Sequence, residues 1–140
     1  MTYTHSITVP LPYAEAVERT RAALADQGFG ILTEIDIAAT FETKLGTEAA
    51  EAVGDYVILG ACNPGLASKA LAAEPELGAL LPCNVVVRAS GSDQALVQAL
   101  DPQTMVKLSQ SDAVREVADD ADSRLRAALS ALSEGATADA

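Results

Sequence analysis

The sequence predicts one α+β domain, an antiparallel or mixed sheet with helices packed mainly on one face. Two observations point there. Short stretches that alternate polar and apolar residues are interleaved with stretches whose apolar residues recur every three or four positions. Apolar residues also make up 49% of the 140-residue chain, enough for one core, but only 4% are aromatic and Trp is absent. That core must therefore be assembled from Ala, Val, Leu and Ile, and a chain of this size buries roughly two thirds of its unfolded surface.

The elements follow in order. His5-Ser-Ile-Thr-Val9 alternates at the strand period and stops at Pro10, which has no N–H for a ladder. Pro12 suits the first turn of a helix whose stripe is Tyr13, Val17, Thr20 and Leu24, with Glu15, Glu18, Arg19 and Asp26 opposite. Gly28 reads as a left-handed cap, and Phe29 is placed to fold back on the last turn. From Gly30 to Ile37, Ile31, Thr33, Ile35 and Ile37 alternate with Leu32, Glu34 and Asp36, a strand half buried on one face.

Ile37, Phe41 and Leu45 stand four apart before Gly46, a short helix, and Glu48 to Gly54 reads as an acidic loop. Tyr56-Val-Ile-Leu59 is a short strand. Asn63-Pro64 then gives an N-cap followed by proline at the first helical position, opening a helix to Ala73. Glu74 to Gly78 is a turn. Val85–Arg88 and Ala95–Ala99 flank Ser90-Gly91-Ser92-Asp93 as a hairpin, and Asp101-Pro102 begins a capped turn through Met105 and Leu108.

The last helix has the most sustained period: Val114, Val117, Ala121, Leu125, Ala128 and Leu132 form one stripe, with Asp120/Arg124 and Asp122/Arg126 outside it at four-residue spacing. The order is β-α-β-(α)-β-α-β-β-(α)-α. The domain is expected to span residues 1–132, with 133–140 a disordered tail.

Charge excludes several functions. Nine Lys and Arg against 20 Asp and Glu leave a net charge of −11. Such a surface repels phosphate backbones and anionic lipid, so no nucleic-acid or membrane partner is expected. No stretch approaches the ~20 apolar residues that a bilayer crossing needs. Met1 to Thr8 lacks the basic start and apolar run of a secretory signal, so a cytoplasmic location is expected, where Cys62 and Cys83 remain free thiols.

Three stretches carry a resemblance: Gly28-Phe-Gly-Ile-Leu-Thr-Glu-Ile-Asp36, Ile58-Leu-Gly-Ala-Cys-Asn-Pro64 and Leu80-Leu-Pro-Cys-Asn-Val-Val-Val87. With Asp101-Pro-Gln-Thr-Met105 and the final helix, they resemble the bacterial domain-of-unknown-function family 302 from about the first strand to Leu132. The resemblance implies an α+β domain often found as a dimer. It implies no reaction, substrate or catalytic residue. Glu48 to Asp55 departs from the family pattern, in which basic or aromatic residues commonly precede the strand at Tyr56.

The candidate site is built on two Cys-Asn pairs, Cys62-Asn63 and Cys83-Asn84, each at the edge of an element. A helix starting beside Cys62 presents unpaired N–H groups and a positive dipole end, which favour thiolate. The competing reading makes both cysteines small buried hydrophobes and both asparagines capping or turn residues. A zinc site needs about four ligands, and His5 is the sole nitrogen donor, so neither metal nor cofactor is expected.

Gly28-Phe-Gly30 follows a helix and opens a strand, the reverse of the dinucleotide fingerprint. Gly60-Ala-Cys-Asn-Pro-Gly65 lacks the lysine of a phosphate loop, although a small anion fits a helix start. Glu34 and Asp36 lie on a strand without the placement of an acid/base pair, and no Ser/His/Asp set is recognisable. The expectation is a non-catalytic, dimeric small-ligand-binding module with its cleft near Cys62 and Cys83. A cysteine-based redox enzyme or sensor and a structural or protein-interaction domain are the alternatives.

Overall fold

The alternation at the N-terminus forms β1 (Thr4–Val9) in the computed structural model, which describes residues 2–138. The chain continues through α1 (Tyr13–Asp26), β2 (Gly30–Asp36), α2 (Ile37–Leu45), α3 (Thr47–Val53), β3 (Tyr56–Cys62) and α4 (Pro64–Ala73). A 3-10 turn at Pro75–Leu80 leads to β4 (Cys83–Ala89), β5 (Ala95–Leu100), α5 (Gln103–Leu108) and α6 (Asp112–Ala138).

The five strands form one sheet in the order β1-β5-β4-β3-β2, antiparallel at every pairing. β1 and β2 are therefore opposite edges, and α1 carries the chain between them across one face. That face is the core. Val9, Val57, Leu59, Ala61, Val85, Val87, Ala95, Val97 and Ala99 alternate inward and meet Ala16 and Leu24 of α1 and Leu125, Ala128, Leu129 and Leu132 of α6. A second cluster joins α4, the 3-10 turn, α5 and the start of α6 through Ala70, Leu77, Met105, Val114, Val117 and Ala118. As expected from their small side chains, these layers pack almost without aromatic residues, Phe29 being buried among the aliphatics of the first cluster.

Most local readings appear as expected. Gly28 takes a positive φ of 85° and the Phe29 N–H donates back to the Leu24 carbonyl at 3.0 Å, ending α1. The Ser90–Asp93 segment closes the β4–β5 hairpin, with Ser90 N–H on the Gln94 carbonyl at 2.9 Å. Both four-residue ion pairs on α6 form, Asp120–Arg124 at 2.7 Å and Asp122–Arg126 at 3.1 Å. Among the described residues no helix is long and apolar enough to cross a membrane.

Four readings are corrected. The stretch Glu48 to Gly54 is not a loop: Thr47–Val53 is helical, because its Ala and Glu content favours helix and Ala50 finds a buried place. The strand at Tyr56 runs on to Cys62, since Gly60 and Ala61 continue the ladder with Asn84 and Cys83. The last helix does not end at Leu132. It continues to Ala138 with Ala136 buried, so residues 133–138 are helical, while 139–140 lie outside the described residues.

The fourth correction concerns β2. Its pairing with β3 shifts at Leu32, so that Ile31 opposes Ala61 but Thr33 opposes Gly60. This bulge reverses the alternation beyond it. Ile31 shares the core face with Ala61, whereas Thr33 and Ile35 turn to the other face and Glu34 and Asp36 fall on the helix side. Leu32 is left 66% exposed, and Glu34 pairs with Arg21 of α1. A bulge and charged side chains also protect an edge strand from pairing with foreign strands.

The bulge brings Thr33 over Gly60. A Cβ at position 60 would overlap Thr33 Oγ1 and stand 2.8 Å from Pro82 Cγ. The threonine hydroxyl can rotate, but the proline ring is stiff. Gly60→Ala is accordingly expected to destabilise the fold by about 1–3 kcal/mol through overpacking. Urea denaturation measures this, and a cost below ~0.5 kcal/mol would show that the β2–β3 contact yields freely.

Candidate functional site

The two cysteines reach one place from different elements. β3 ends at Cys62, and the next residue, Asn63, caps α4 by accepting the Leu66 N–H on Oδ1 at 3.1 Å. Pro64 occupies the first helical turn, where its missing N–H removes no helical bond. Cys83 opens β4 directly opposite Ala61, which sets it beside the end of β3. Both cysteines are free, Cys62 partly exposed and Cys83 buried.

Cys62, Asn63 and Cys83 line a single cavity, closed mainly by Phe29, Leu66, Ala67, Met105 and Val117. Its walls thus come from the sheet, the α1–β2 corner, α4, α5 and α6, and they are almost entirely apolar. The cavity is small, about 30 Å³ of space for water-sized atoms. Since one water needs ~10–15 Å³ on that measure, it holds a group of only a few heavy atoms. Leu66 and Val117 also form walls of a wider groove between α4 and α6, of about 520 Å³, so these two side chains separate the cavity from an open approach.

Polarity is confined to the rim. The Asn63 amide packs against Gly28: a Cβ there would lie 3.0 Å from Asn63 Nδ2 and 3.2 Å from Arg124 Nη1. The Arg124 guanidinium also donates to the Gln27 carbonyl at 2.9 Å. A positive φ and these two neighbours together account for glycine at position 28, and they put one cation near the Asn63 end of the cleft. Inside, burial pushes the Cys83 thiol up from 9.0 to about 11, helped by the neighbouring charge of Cys62. Cys83 is therefore a neutral thiol at physiological pH.

Three of the four residues expected at the site converge, and one does not. Asn84 is exposed and opposes Gly60; strand alternation turns it to the face opposite Cys83. It is removed from the cleft. Phe29, Leu66, Met105 and Val117 were not read as site residues from the sequence, because an apolar residue on a helix or at a corner looks the same whether it fills a core or lines a cavity. Glu34 pairs with Arg21, and Asp36 caps α2 through the Ala39 N–H at 2.9 Å.

The fold defines an α+β protein with an open, five-stranded antiparallel sheet and helices packed on it. Residues 5–132 match the family described as Domain of unknown function DUF302, and the chain belongs to that family. It is also similar to the "uncharacterized conserved protein DUF302 from Bacillus stearothermophilus", whose crystal structure shares 26% sequence identity with a TM-score of 0.81. That similarity covers 93% of this chain and 98% of the other. No curated protein matches.

Proposed function

We propose that this protein is a non-catalytic, cytoplasmic, homodimeric module that binds a small, largely apolar ligand in the Cys62–Cys83 cavity. The observation that carries the reading is the convergence of Cys62, Asn63 and Cys83 on one apolar cavity with a polar rim. Among the described residues, the cavity lining adds only apolar side chains to Cys62, Asn63 and Cys83, which favours binding over catalysis. Two free thiols accord with a reducing compartment. Support for a dimer comes from the family resemblance and from exposed large apolar side chains, Leu32 and Ile35 of β2.

Native mass spectrometry of the protein as purified tests both parts. The expected result is a species of twice the 14.4 kDa chain mass that retains a small molecule or accepts a small apolar fragment. Fragment binding should shift the NMR signals of Ala67 and the Met105 methyl. A monomer at micromolar concentration removes the dimer, and fragments that perturb neither residue remove the site.

Two free thiols on one cavity also support a redox reading, in which one cysteine attacks and the other resolves. Accessibility decides their order. Iodoacetamide is expected to modify Cys62 first and to reach Cys83 only slowly at neutral pH, because only the thiolate attacks and Cys83 is buried and neutral. Peptide mapping of wild type, Cys62→Ala and Cys83→Ala measures it. Fast labelling that survives in Cys62→Ala would contradict this order. A disulfide formed under mild oxidation would favour the redox reading.

A further inference from the structure

We propose that His5, Asp101 and Asp122 form a binding site for one divalent transition-metal ion of the zinc type. The residues come from three separate elements: β1, the turn between β5 and α5, and the middle of α6. His5 Nε2 lies 2.7 Å from Asp122 Oδ1 and 3.6 Å from Asp101 Oδ1, and one ligand atom from each residue lies within 4.8 Å of the other two. All three side chains are mostly shielded from solvent.

The arrangement differs from an ordinary histidine–aspartate contact. A single imidazole nitrogen faces both carboxylates, and it carries at most one proton. That proton can serve the Asp122 oxygen but not Asp101 at 3.6 Å, beyond hydrogen-bonding range. A divalent ion engages all three groups at once. Ions of this type bind nitrogen and oxygen ligands at ~2.0–2.2 Å, which puts neighbouring ligand atoms roughly 3.3–3.6 Å apart at tetrahedral angles. The two His5 separations bracket that span, so small side-chain movements close the site.

Neighbouring groups already orient the carboxylates, as outer groups do around metal ligands. Asp101 Oδ1 accepts the Gln103 N–H at 2.9 Å, and Asp122 Oδ2 accepts from Arg126 Nε at 3.1 Å. The imidazole nitrogen selects zinc, cobalt or nickel over magnesium or calcium, which prefer oxygen alone. Three protein ligands leave a fourth position for water or a small anion. Counting only cysteine and histidine ligands hides this site, whose other two members are aspartates distant in sequence. It is independent of the thiol cavity, and either proposal can fail alone.

The test uses untagged protein carrying Cys62→Ser and Cys83→Ser, so that thiols cannot supply the ligands. Titration with zinc chloride, followed by calorimetry and by the thermal midpoint, is expected to show one ion per chain and a rise in Tm. Cobalt should give a d–d absorption spectrum at the same stoichiometry. In this background Asp101→Asn and His5→Gln are each expected to weaken zinc binding by at least ~10-fold. Both replacements keep a polar group of similar shape, and circular dichroism verifies their fold. The proposal is overturned if the cysteine-free protein gives neither heat nor a Tm shift, or if neither replacement changes the affinity.

Discussion

Replacing Leu125 by Ala is expected to destabilise the protein by about 2–5 kcal/mol, a large part of the ~5–15 kcal/mol that holds a domain of this size together. Leu125 is 0% exposed at the middle of α6. Its neighbours around a small internal space include Thr20 and Leu24 of α1 and Val85 and Ala99 of the sheet. Truncation thus enlarges an existing void between α1, α6 and the sheet and removes contacts with each. Because the walls belong to long elements already paired elsewhere, they cannot collapse far into the gap. Urea denaturation of Leu125→Ala beside Ala127→Ser, on the exposed face of the same helix, separates packing from helix propensity. The surface variant should remain within ~0.5 kcal/mol of wild type. A loss below ~1 kcal/mol at Leu125 would place the core elsewhere.

Stability is also expected to fall by about 2–3 kcal/mol as pH rises from 9 through about 11, owing to Cys83. The folded thiol titrates near 11 and the unfolded thiol near 9.0, so within that window the folded state holds a proton that the unfolded state has released. Stability then falls with rising pH, by ~1.4 kcal/mol for each unit of difference, and below pH 9 the contribution is constant. Tyr13, raised to about 12 mainly by burial and then by Asp36, Asp55 and Glu34, adds a change of the same sign at still higher pH. Cys83→Ala isolates the effect. It should lose less stability than wild type between pH 8.5 and 10.5, even if it starts lower from the lost methylene–sulfur packing. Parallel curves for the two proteins would mean that Cys83 ionises in the folded state as freely as in the unfolded one.

What the amino-acid sequence determined by itself is local. Gly28 and Phe29 end α1, Asn63-Pro64 starts α4, the Ser90–Asp93 turn closes a hairpin, and the stripe from Val114 to Leu132 marks the buried side of α6. Each depends on backbone donors, dihedral preferences or periodicity within a few residues, and these are written into neighbouring side chains. The place of Cys62 beside a capped helix was legible for the same reason. Even α3 carried a local signal in its Ala and Glu content, outweighed in the reading by its acidity.

Tertiary structure alone decided the rest. The bulge at Leu32 exists because β2 must register against Gly60 and Ala61 of β3, and one inserted residue exchanges the faces of everything after it. Strand order places β1 and β2 at opposite edges, which no single segment specifies. Asn84 leaves the cleft because alternation in β4 commits Cys83 inward, and Phe29, Leu66, Met105 and Val117 become cavity walls only when five elements meet. His5 is separated from Asp101 and Asp122 by most of the chain, and they meet because β1 pairs beside β5 while α6 packs against β1. Long-range pairing sets such meetings through the combined burial of many apolar residues, none of which names its partner in the sequence.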